Sequence, residues 1–367
     1  ADTVMQEGIL KSLVISGIID GVGGVLGFVP IILFMFVGIT VLEDSGYLAR
    51  AAFMLDRVFK VFGLHGSSVM PFIVSGGIAG GCAVPGVMAA RTLKSPKERL
   101  ATLLTVPFMN CGAKLPVFAL LIGAFFSSHK AWIMFAVTVI SWTGALLVAK
   151  FLRMTVIRGQ AAPFIMELPP YRLPTLRGVA IHAWERTWQY IRKAGTVILA
   201  ISIILWALMS FPRLPEEMAD SFAGDQEAAV ARAELQYSAA GRLGTAMEPA
   251  TSLAGFDWRT NIALVGGFAA KEVIVSTMGT AYSLGQTEAE NTSGLSSRLA
   301  ASSQWSALKA FALMIFVMFY SPCFVAVVCI AREAGSWKWA AFSMAFNTVL
   351  AFVLAVLVYQ AGSLLGL

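Results

Sequence analysis

Three cysteines stand beside glycine and proline residues that interrupt long apolar stretches of the chain, namely Cys82, Cys111 and Cys323. A break in a membrane helix frees backbone carbonyls, so each interruption combines a thiol with oxygen acceptors. Sulfur and carbonyl ligands together suit a borderline-soft divalent ion such as Fe²⁺. We therefore predict a metal path along the three interruptions. They comprise residues 76–85, 107–116 and 320–323.

Each cysteine also has a simpler interpretation, because Cys is a small apolar residue that packs well inside helices. The repetition of the pattern at three interruptions favours the ligand role over packing. Met88 and Met109 lie near two of the breaks and would add thioether ligands. Cys329 comes six residues after Cys323 and so faces another side of a helix, where we expect it to pack.

An ionisable pair, Lys271 and Glu272, lies inside the otherwise apolar stretch 261–285. Charged side chains at membrane depth are costly and usually functional. We expect Glu272 to attract or gate a cation and Lys271 to close the path by pairing with it, with an interfacial salt bridge as the alternative. Glu43 and Asp44 follow the first apolar stretch, which predicts an interfacial position or a role in admitting the ion.

Several kinds of chemistry are excluded by motifs that the sequence lacks. The three histidines, His65, His129 and His182, lie in separate segments, and no two cysteines form a CxxC pair. Both facts argue against a zinc site and a disulfide framework. The sequence has no G-x-x-x-x-G-K-[ST], G-x-S-x-G or H-E-x-x-H motif. We therefore expect neither enzyme activity nor a bound cofactor in this chain.

The composition places the chain in a lipid membrane. Of its 367 residues, 57% are hydrophobic and 13% are charged, and the mean hydropathy is +0.75. Soluble domains carry about 25% charged residues, so this chain cannot cover a soluble globule with polar groups. The net charge of +6 fits Lys and Arg in cytoplasmic loops. Nucleic-acid binding is not expected, since no basic run is interleaved with stacking aromatics.

Apolar stretches of membrane-spanning length predict an all-α polytopic membrane protein. About seven or eight such segments occur, and the interrupted ones predict discontinuous or re-entrant helices. The segments cover residues 21–42, 61–90, 100–128, 131–149, 194–211, 261–285, 310–330 and 339–367. A glycine-rich break followed by a break with proline and cysteine occurs at 76–116 and, roughly, at 266–323, which suggests an internal pseudo-repeat.

The charges of the loops divide the chain into five regions, and the excess of Lys and Arg in cytoplasmic loops orients them. Two membrane regions with helix breaks lie at 1–149 and 261–367. Between them, a basic cytoplasmic loop and interfacial helix at 150–193 precede a spanning helix at 194–211. An acidic extracytoplasmic loop follows at 212–260.

Motifs along nearly the whole chain resemble those of one known family. They read LEDSGYLARAAF at 42–53, GLHG at 63–66, AAKEV at 269–273, YSPC at 320–323, REAG at 332–335 and WKW at 337–339. The breaks at Cys82 and Cys111 are similar to the family's Gate motifs. Together these stretches resemble the membrane region of the bacterial ferrous iron transport protein B (FeoB) family. By this resemblance, 1–149 is a Gate-containing region and 261–367 a Gate-like one.

The resemblance implies uptake of Fe²⁺ across the bacterial inner membrane, with the Gate cysteines lining the path. It also implies a GTPase domain, fused or separate, that would bind GTP and Mg²⁺ and drive or gate transport. This chain lacks the phosphate-binding motif of such a domain. Small accessory cytoplasmic proteins and a homo-oligomer are further expected partners.

Both Gate motifs depart from the usual family pattern. An Asn usually follows the cysteine of the first motif, whereas Ala83 stands here and cannot supply an amide oxygen. The second motif has Asn110 and Lys114 where Ser and Arg are frequent in the family. Asn110 would then replace the missing oxygen.

Two other functions are consistent with broken helices. The chain would then transport an organic solute such as a nucleoside, or serve as a non-conducting membrane partner of a GTPase. A nucleoside site needs several convergent amide, hydroxyl or acidic groups, and the apolar stretches contain few of them. The intact helix breaks argue against a non-conducting partner, because such breaks survive only inside protein or along a wet path.

Overall fold

The computed structural model describes residues 20–77, 81–158, 170–215, 233–282, 293–302 and 304–366. Its secondary structure is helical, and these residues contain no β-strand. The predicted all-α architecture is thereby confirmed. Residues 78–80 of the first interruption lie outside the described residues.

The N-terminal half begins with a long helix and continues with shorter helices separated by breaks. The first helix, α1 (Asp20–Asp44), is apolar along most of its length. Its last part bends by 79° into the amphipathic α2 (Tyr47–Val61) at Gly46, whose φ of 78° is one that glycine adopts without strain. The helices that follow are α3 (Val69–Phe72), α4 (Ala83–Ala89), α5 (Pro96–Thr105), α6 (Leu115–Phe125) and α7 (Lys130–Thr155).

The C-terminal half contains helices that mostly begin at a polar capping residue. A capping side chain accepts a hydrogen bond from a free N–H of the first turn and so fixes the start of the helix. The caps are Thr175, Ser238, Asp257, Ser306 and Ser336. The helices are α8 (Leu176–Ser210), α9 (Ala239–Thr251), α10 (Trp258–Ala269), α11 (Val273–Ala281), α12 (Ser293–Ala301), α13 (Ala307–Phe319), α14 (Phe324–Glu333) and α15 (Trp337–Leu364).

Several of these helices have the length and composition of membrane spans. Four such spans occur in the described residues, and the bent pair α1–α2 would be a fifth. The four are Pro96–Phe125, Ser127–Thr155, Ala307–Glu333 and Trp337–Leu364. The first and third of them contain breaks, at residues 106–114 and 320–323. A polytopic membrane protein with discontinuous helices is therefore confirmed.

One predicted helix boundary differs from the structure. The sequence predicts an interfacial helix that ends at residue 193 and a separate span from 194, whereas α8 runs without interruption from Leu176 to Ser210. Gly195 alone does not end the helix, because one helical glycine costs only about 1 kcal/mol relative to alanine. α1 packs along α8. The division into five regions and their sides of the membrane stay predictions.

The broken helices of both halves share one hydrophobic core. In that core α13 packs against α6 and α15, and α14 packs against α4. The rings of Phe108 and Phe319, from the two halves, have their centroids 5.5 Å apart. Helix breaks from distant parts of the sequence are thereby brought to one place.

The two breaks of the first half touch each other through their backbones. The Gly112 N–H donates to the Gly81 carbonyl at 2.8 Å. Gly76 lies so close to Asn110 that a Cβ atom on residue 76 would be 2.5 Å from the Asn110 carbonyl oxygen. This contact leaves no room for a side chain at position 76.

An ion pair joins the two halves of the chain. It forms between Arg91, which follows α4, and Glu333, the last residue of α14. Arg91 Nε donates to both carboxylate oxygens of Glu333 at 2.7 Å, and Arg99 Nη2 donates to the Glu333 backbone carbonyl at 2.7 Å. The hydrogen bond to Glu333 raises the pKa of the Arg91 guanidinium, although partial burial opposes the shift. Glu333 is only 7% exposed, and Arg91 is the charged partner of its buried side chain.

Replacing Arg91 with Met would leave the buried Glu333 carboxylate without its charged partner. Because Arg91 is itself 54% exposed, we expect the apparent free energy of unfolding in detergent to fall by only about 1–2 kcal/mol. Arg186→Met is the matched control, since it breaks the half-exposed pair with Glu43 and should cost less than about 1 kcal/mol. Equal decreases in the free energy of unfolding for the two variants would contradict a special role of the ion pair between Arg91 and Glu333.

Replacing Gly76 with Ala would force the second break away from the first. We expect the apparent free energy of unfolding to fall by about 2–4 kcal/mol, because a backbone contact cannot relax as a side chain can. Gly123→Ala on α6 is the control: a Cβ atom there meets nothing within 4 Å. Thermal unfolding in detergent compares the two, and a Gly76→Ala variant as stable as Gly123→Ala would rule out the tight packing.

Candidate cation path

Four breaks in the described helices meet inside the core, and we call this region the junction. Its residues are 76–77 with 81–82, 109–112, 270–272 and 320–323. The Lys114 ammonium connects the second break with the end of α13, just before the fourth break, because it donates to the Met109 and Met318 carbonyls at 3.1 and 2.8 Å. The Lys271 ammonium connects the third break with the fourth by donating to the Ser321 carbonyl at 2.6 Å.

The three predicted cysteine ligands all lie at the junction. Cys82, Cys111 and Cys323 are half-buried, and each lies within electrostatic range of the other two. Cys329 is buried in the hydrophobic core, as its position in the sequence predicts. In the described part of the chain, no three His, Cys, Asp or Glu side chains come close enough to hold one metal ion. The thiols therefore lie at the junction without forming a closed ligand shell among the described residues.

Lys114 fills part of the junction, although the sequence motifs gave it no functional role. Its side chain is 2% exposed, and Nζ donates to the carbonyls of Pro107, Met109 and Met318 at 3.1, 3.1 and 2.8 Å. In an apolar interior these carbonyls would otherwise lack donors. A lysine inside an apolar stretch beside prolines is the signal that could have identified this residue.

Lys271 occupies a related position at the third break. It is 2% exposed, it donates to the Ser321 carbonyl, and its Nζ lies 2.9 Å from the centre of the Tyr320 ring, a cation–π contact. Glu272 is half-buried and within electrostatic range of Lys271. The predicted contact between Lys271 and Glu272 is thus replaced by a contact with the backbone. A freed carbonyl deep in the core competes for the ammonium, because leaving it unpaired is costly.

The other predicted ligands of the junction are buried to different degrees. Asn110 is 7% exposed and its Nδ2 lies 3.5 Å from the Val137 carbonyl, while its Oδ1 is buried and has no hydrogen-bond donor among the described residues. Met109 is 1% exposed, and Met88 is half-buried against the core. Asn110 therefore offers a spare oxygen at the junction. The ligand role of the two methionines stays a prediction.

Glu43 and Asp44 lie at the end of α1. Glu43 Oε2 accepts a hydrogen bond from Arg186 Nη2 at 2.9 Å, and Asp44 is exposed. This placement is compatible with the interfacial position that the sequence predicts. The role of these two carboxylates in admitting an ion is still a prediction.

A buried polar contact that sequence reasoning missed joins His65 to Glu98. The His65 Nε2 and Glu98 Oε1 atoms are 2.7 Å apart, and the side chains are 5% and 3% exposed. His65 belongs to an uncharged stretch and Glu98 to a basic loop, so no local pattern relates them. Only the GLHG motif marked this region as distinctive.

Two known families match the chain. The Gate family, described as "Nucleoside recognition", matches residues 25–125 and 191–337. The family described as "Ferrous iron transport protein B C terminus" matches residues 134–186. The Gate match includes all four breaks of the junction. The three thiols of the junction therefore all lie within residues that match the Gate family.

Bacterial iron transporters are similar to the chain over nearly its whole length. Proteins named "Fe(2+) transporter FeoB" from Campylobacter jejuni and Helicobacter pylori are 41% and 37% identical over 94% and 97% of this chain. The "Fe(2+) transport protein A/Fe(2+) transporter FeoB fusion protein" of Porphyromonas gingivalis is 39% identical over 99%. The chain spans about half the length of these relatives, namely 54%, 58% and 46%. No solved structure matches it.

The family matches and the relatives together cover nearly the whole chain, including the helix breaks on which the site is built. The shared region contains every cysteine of the junction and both of its buried lysines. It is also the region whose helices have the length and composition of membrane spans. The chain therefore belongs to the FeoB family and represents its multi-pass membrane region.

Proposed function

We propose that this chain is the permeation domain of a ferrous iron uptake system in the bacterial inner membrane. The observation that carries the proposal is the junction itself, where three thiols lie beside backbone carbonyls freed by helix breaks. The substrate, Fe²⁺, is taken from the names of the relatives. In this proposal the chain moves an ion and catalyses no reaction.

The ligands at the junction suit Fe²⁺, which accepts sulfur and oxygen donors alike. Cys82, Cys111 and Cys323 would supply sulfur, and Asn110 would supply the amide oxygen that Ala83 cannot. Since the thiols do not form one closed shell in the described residues, binding would be transient. Transient binding is what permeation needs, because an ion that is held too tightly is not released.

Charged groups near the junction would control access to it. Glu272 is half-buried beside the third break, where its carboxylate would stabilise a cation in an apolar setting. Lys271 would act as a gate, because its ammonium repels an ion that approaches the fourth break. Glu43 and Asp44 would attract the ion at the end of α1, and Met88 and Met109 would assist with thioether contacts.

The energy for uptake would come from a GTPase domain, fused or separate, because the sequence has no phosphate-binding loop. The relatives have room for such a domain, since the matched region covers 46–58% of their length. One of them is fused to Fe(2+) transport protein A. We propose a small accessory protein of that kind as a further partner of this chain.

Nucleoside transport is the weaker candidate, although the Gate family carries the description "Nucleoside recognition". A nucleoside site needs several polar side chains that converge on the base and the ribose. At and beside the junction the buried polar side chains include Asn110, Ser321 and the two lysines, and the lysines already bind backbone carbonyls. The named relatives are Fe²⁺ transporters.

The proposal predicts that single thiols limit the rate of Fe²⁺ uptake. The purified chain, reconstituted in vesicles that contain an Fe²⁺-sensitive dye, is measured without oxygen, with and without an added GTPase domain. We expect Cys82→Ser and Cys111→Ser each to lower the initial rate about tenfold, which equals ~1.4 kcal/mol. Cys329→Ala is the control and should leave the rate unchanged, because Cys329 is buried in the core.

Normal uptake in both serine variants would refute the ligand role of these thiols. Absence of Fe²⁺ flux for the wild-type chain under both conditions would instead favour the non-conducting partner of a GTPase. The amount of each variant in membrane extracts is compared with that of the wild type. This comparison shows whether a lower uptake rate reflects slower transport or loss of protein.

A further inference from the structure

Three backbone carbonyl oxygens converge on the point that the Lys114 ammonium occupies, and we call them the carbonyl cage. They belong to Pro107, Met109 and Met318. Two of the oxygens come from the second break, and the third comes from the opposite half, 204 residues away from Lys114 in the chain. Carbonyl oxygens arranged around one positive charge are the ligand set from which ion-conducting proteins build cation sites.

We propose that the carbonyl cage is a binding site for the transported divalent cation, and that Lys114 is a tethered cation that occupies the site until the ion displaces it. The inference rests on the proposed permeation function and deepens it. It adds a set of oxygen ligands to the path, and it assigns Lys114 a gating role rather than a ligand role.

The surroundings of the ammonium contain more ligand chemistry than a structural lysine requires. Its Nζ lies within electrostatic range of the Cys111 and Cys323 thiols. Asn110, next to Met109, has a buried Oδ1 that receives no hydrogen bond from the described residues. A lysine that only caps a helix break needs carbonyl acceptors, whereas thiols and a spare amide oxygen suit a borderline-soft metal ion.

Electrostatic repulsion makes the two occupants of the cage mutually exclusive. A divalent ion within ~4 Å of an ammonium is strongly repelled in apolar surroundings, so Nζ must leave when the ion arrives. The flexible four-carbon stem of lysine permits this movement. When the ion leaves, the ammonium returns and pairs again with carbonyls that would otherwise be buried without donors.

The charge of Lys114 can be tested separately from its hydrogen bonds. Lys114→Gln keeps an N–H donor near the cage but removes the charge. Lys309→Gln is the matched control, because Lys309 also donates to a backbone carbonyl, that of Gln304 at 2.7 Å, but through a hydrogen bond that is exposed. Fe²⁺ binding to the purified full chain is titrated without oxygen. We expect Lys114→Gln to bind about tenfold more tightly than wild type and Lys309→Gln to stay within about twofold.

Unchanged or weaker Fe²⁺ binding by folded Lys114→Gln would overturn the proposal. The wild-type chain gives a second test that holds even where this variant does not fold. Reductive methylation followed by mass spectrometry should leave Lys114 unlabelled in the ion-free chain and label it at saturating Fe²⁺. Lys309 should be labelled in both conditions. Protection of Lys114 at saturating Fe²⁺ would also overturn the proposal.

The flux assay separates this inference from the proposed function. If the wild-type chain conducts Fe²⁺ and Lys114→Gln binds Fe²⁺ with wild-type affinity, the carbonyl cage is contradicted as a cation site, whereas the permeation function is still supported. Tighter binding by Lys114→Gln without flux under any condition would support the cage as a cation site and contradict permeation.

Discussion

A backbone carbonyl inside an apolar core needs a hydrogen-bond donor, and this requirement governs the centre of the molecule. Four breaks in the described helices bring freed carbonyls together. Lys114 donates to three of these carbonyls and Lys271 to a fourth. Both lysines are 2% exposed, and their amino groups are the donors at the centre of this fold. The Cys111 and Cys323 thiols lie within electrostatic range of both amino groups.

Rigid contacts surround a centre whose occupant is able to change. Gly76 and Asn110 fix the first two breaks against each other through their backbones, and Arg91 with Glu333 ties the two halves beyond α4. In the proposed path, the four-carbon stem of Lys114, with its several rotatable bonds, would move inside this fixed frame. A site of this kind changes its ligand without rebuilding its helices.

The sequence predicted the parts of this arrangement that are encoded locally. Glycine and proline mark the breaks, and the cysteines beside them could be selected for the same reason. The contact of Lys114 with Met318 spans 204 residues, and no local pattern encodes it. The pair of His65 with Glu98 was missed for the same reason. The predicted boundary at residue 193 follows a change from basic to apolar composition, whereas the backbone of α8 continues through it.

Because a transported ion must leave its site again, the affinity of that site for the ion has an upper limit. Thiols and carbonyls are individually good ligands for Fe²⁺, so a path lined with them needs something that opposes binding. An ammonium that competes for the same oxygens provides that opposition, because each bound ion costs the hydrogen bonds of the displaced lysine. Release of the ion restores those hydrogen bonds. In the proposed path, strong ligands and a tethered competitor together give weak net binding, which neither would give alone.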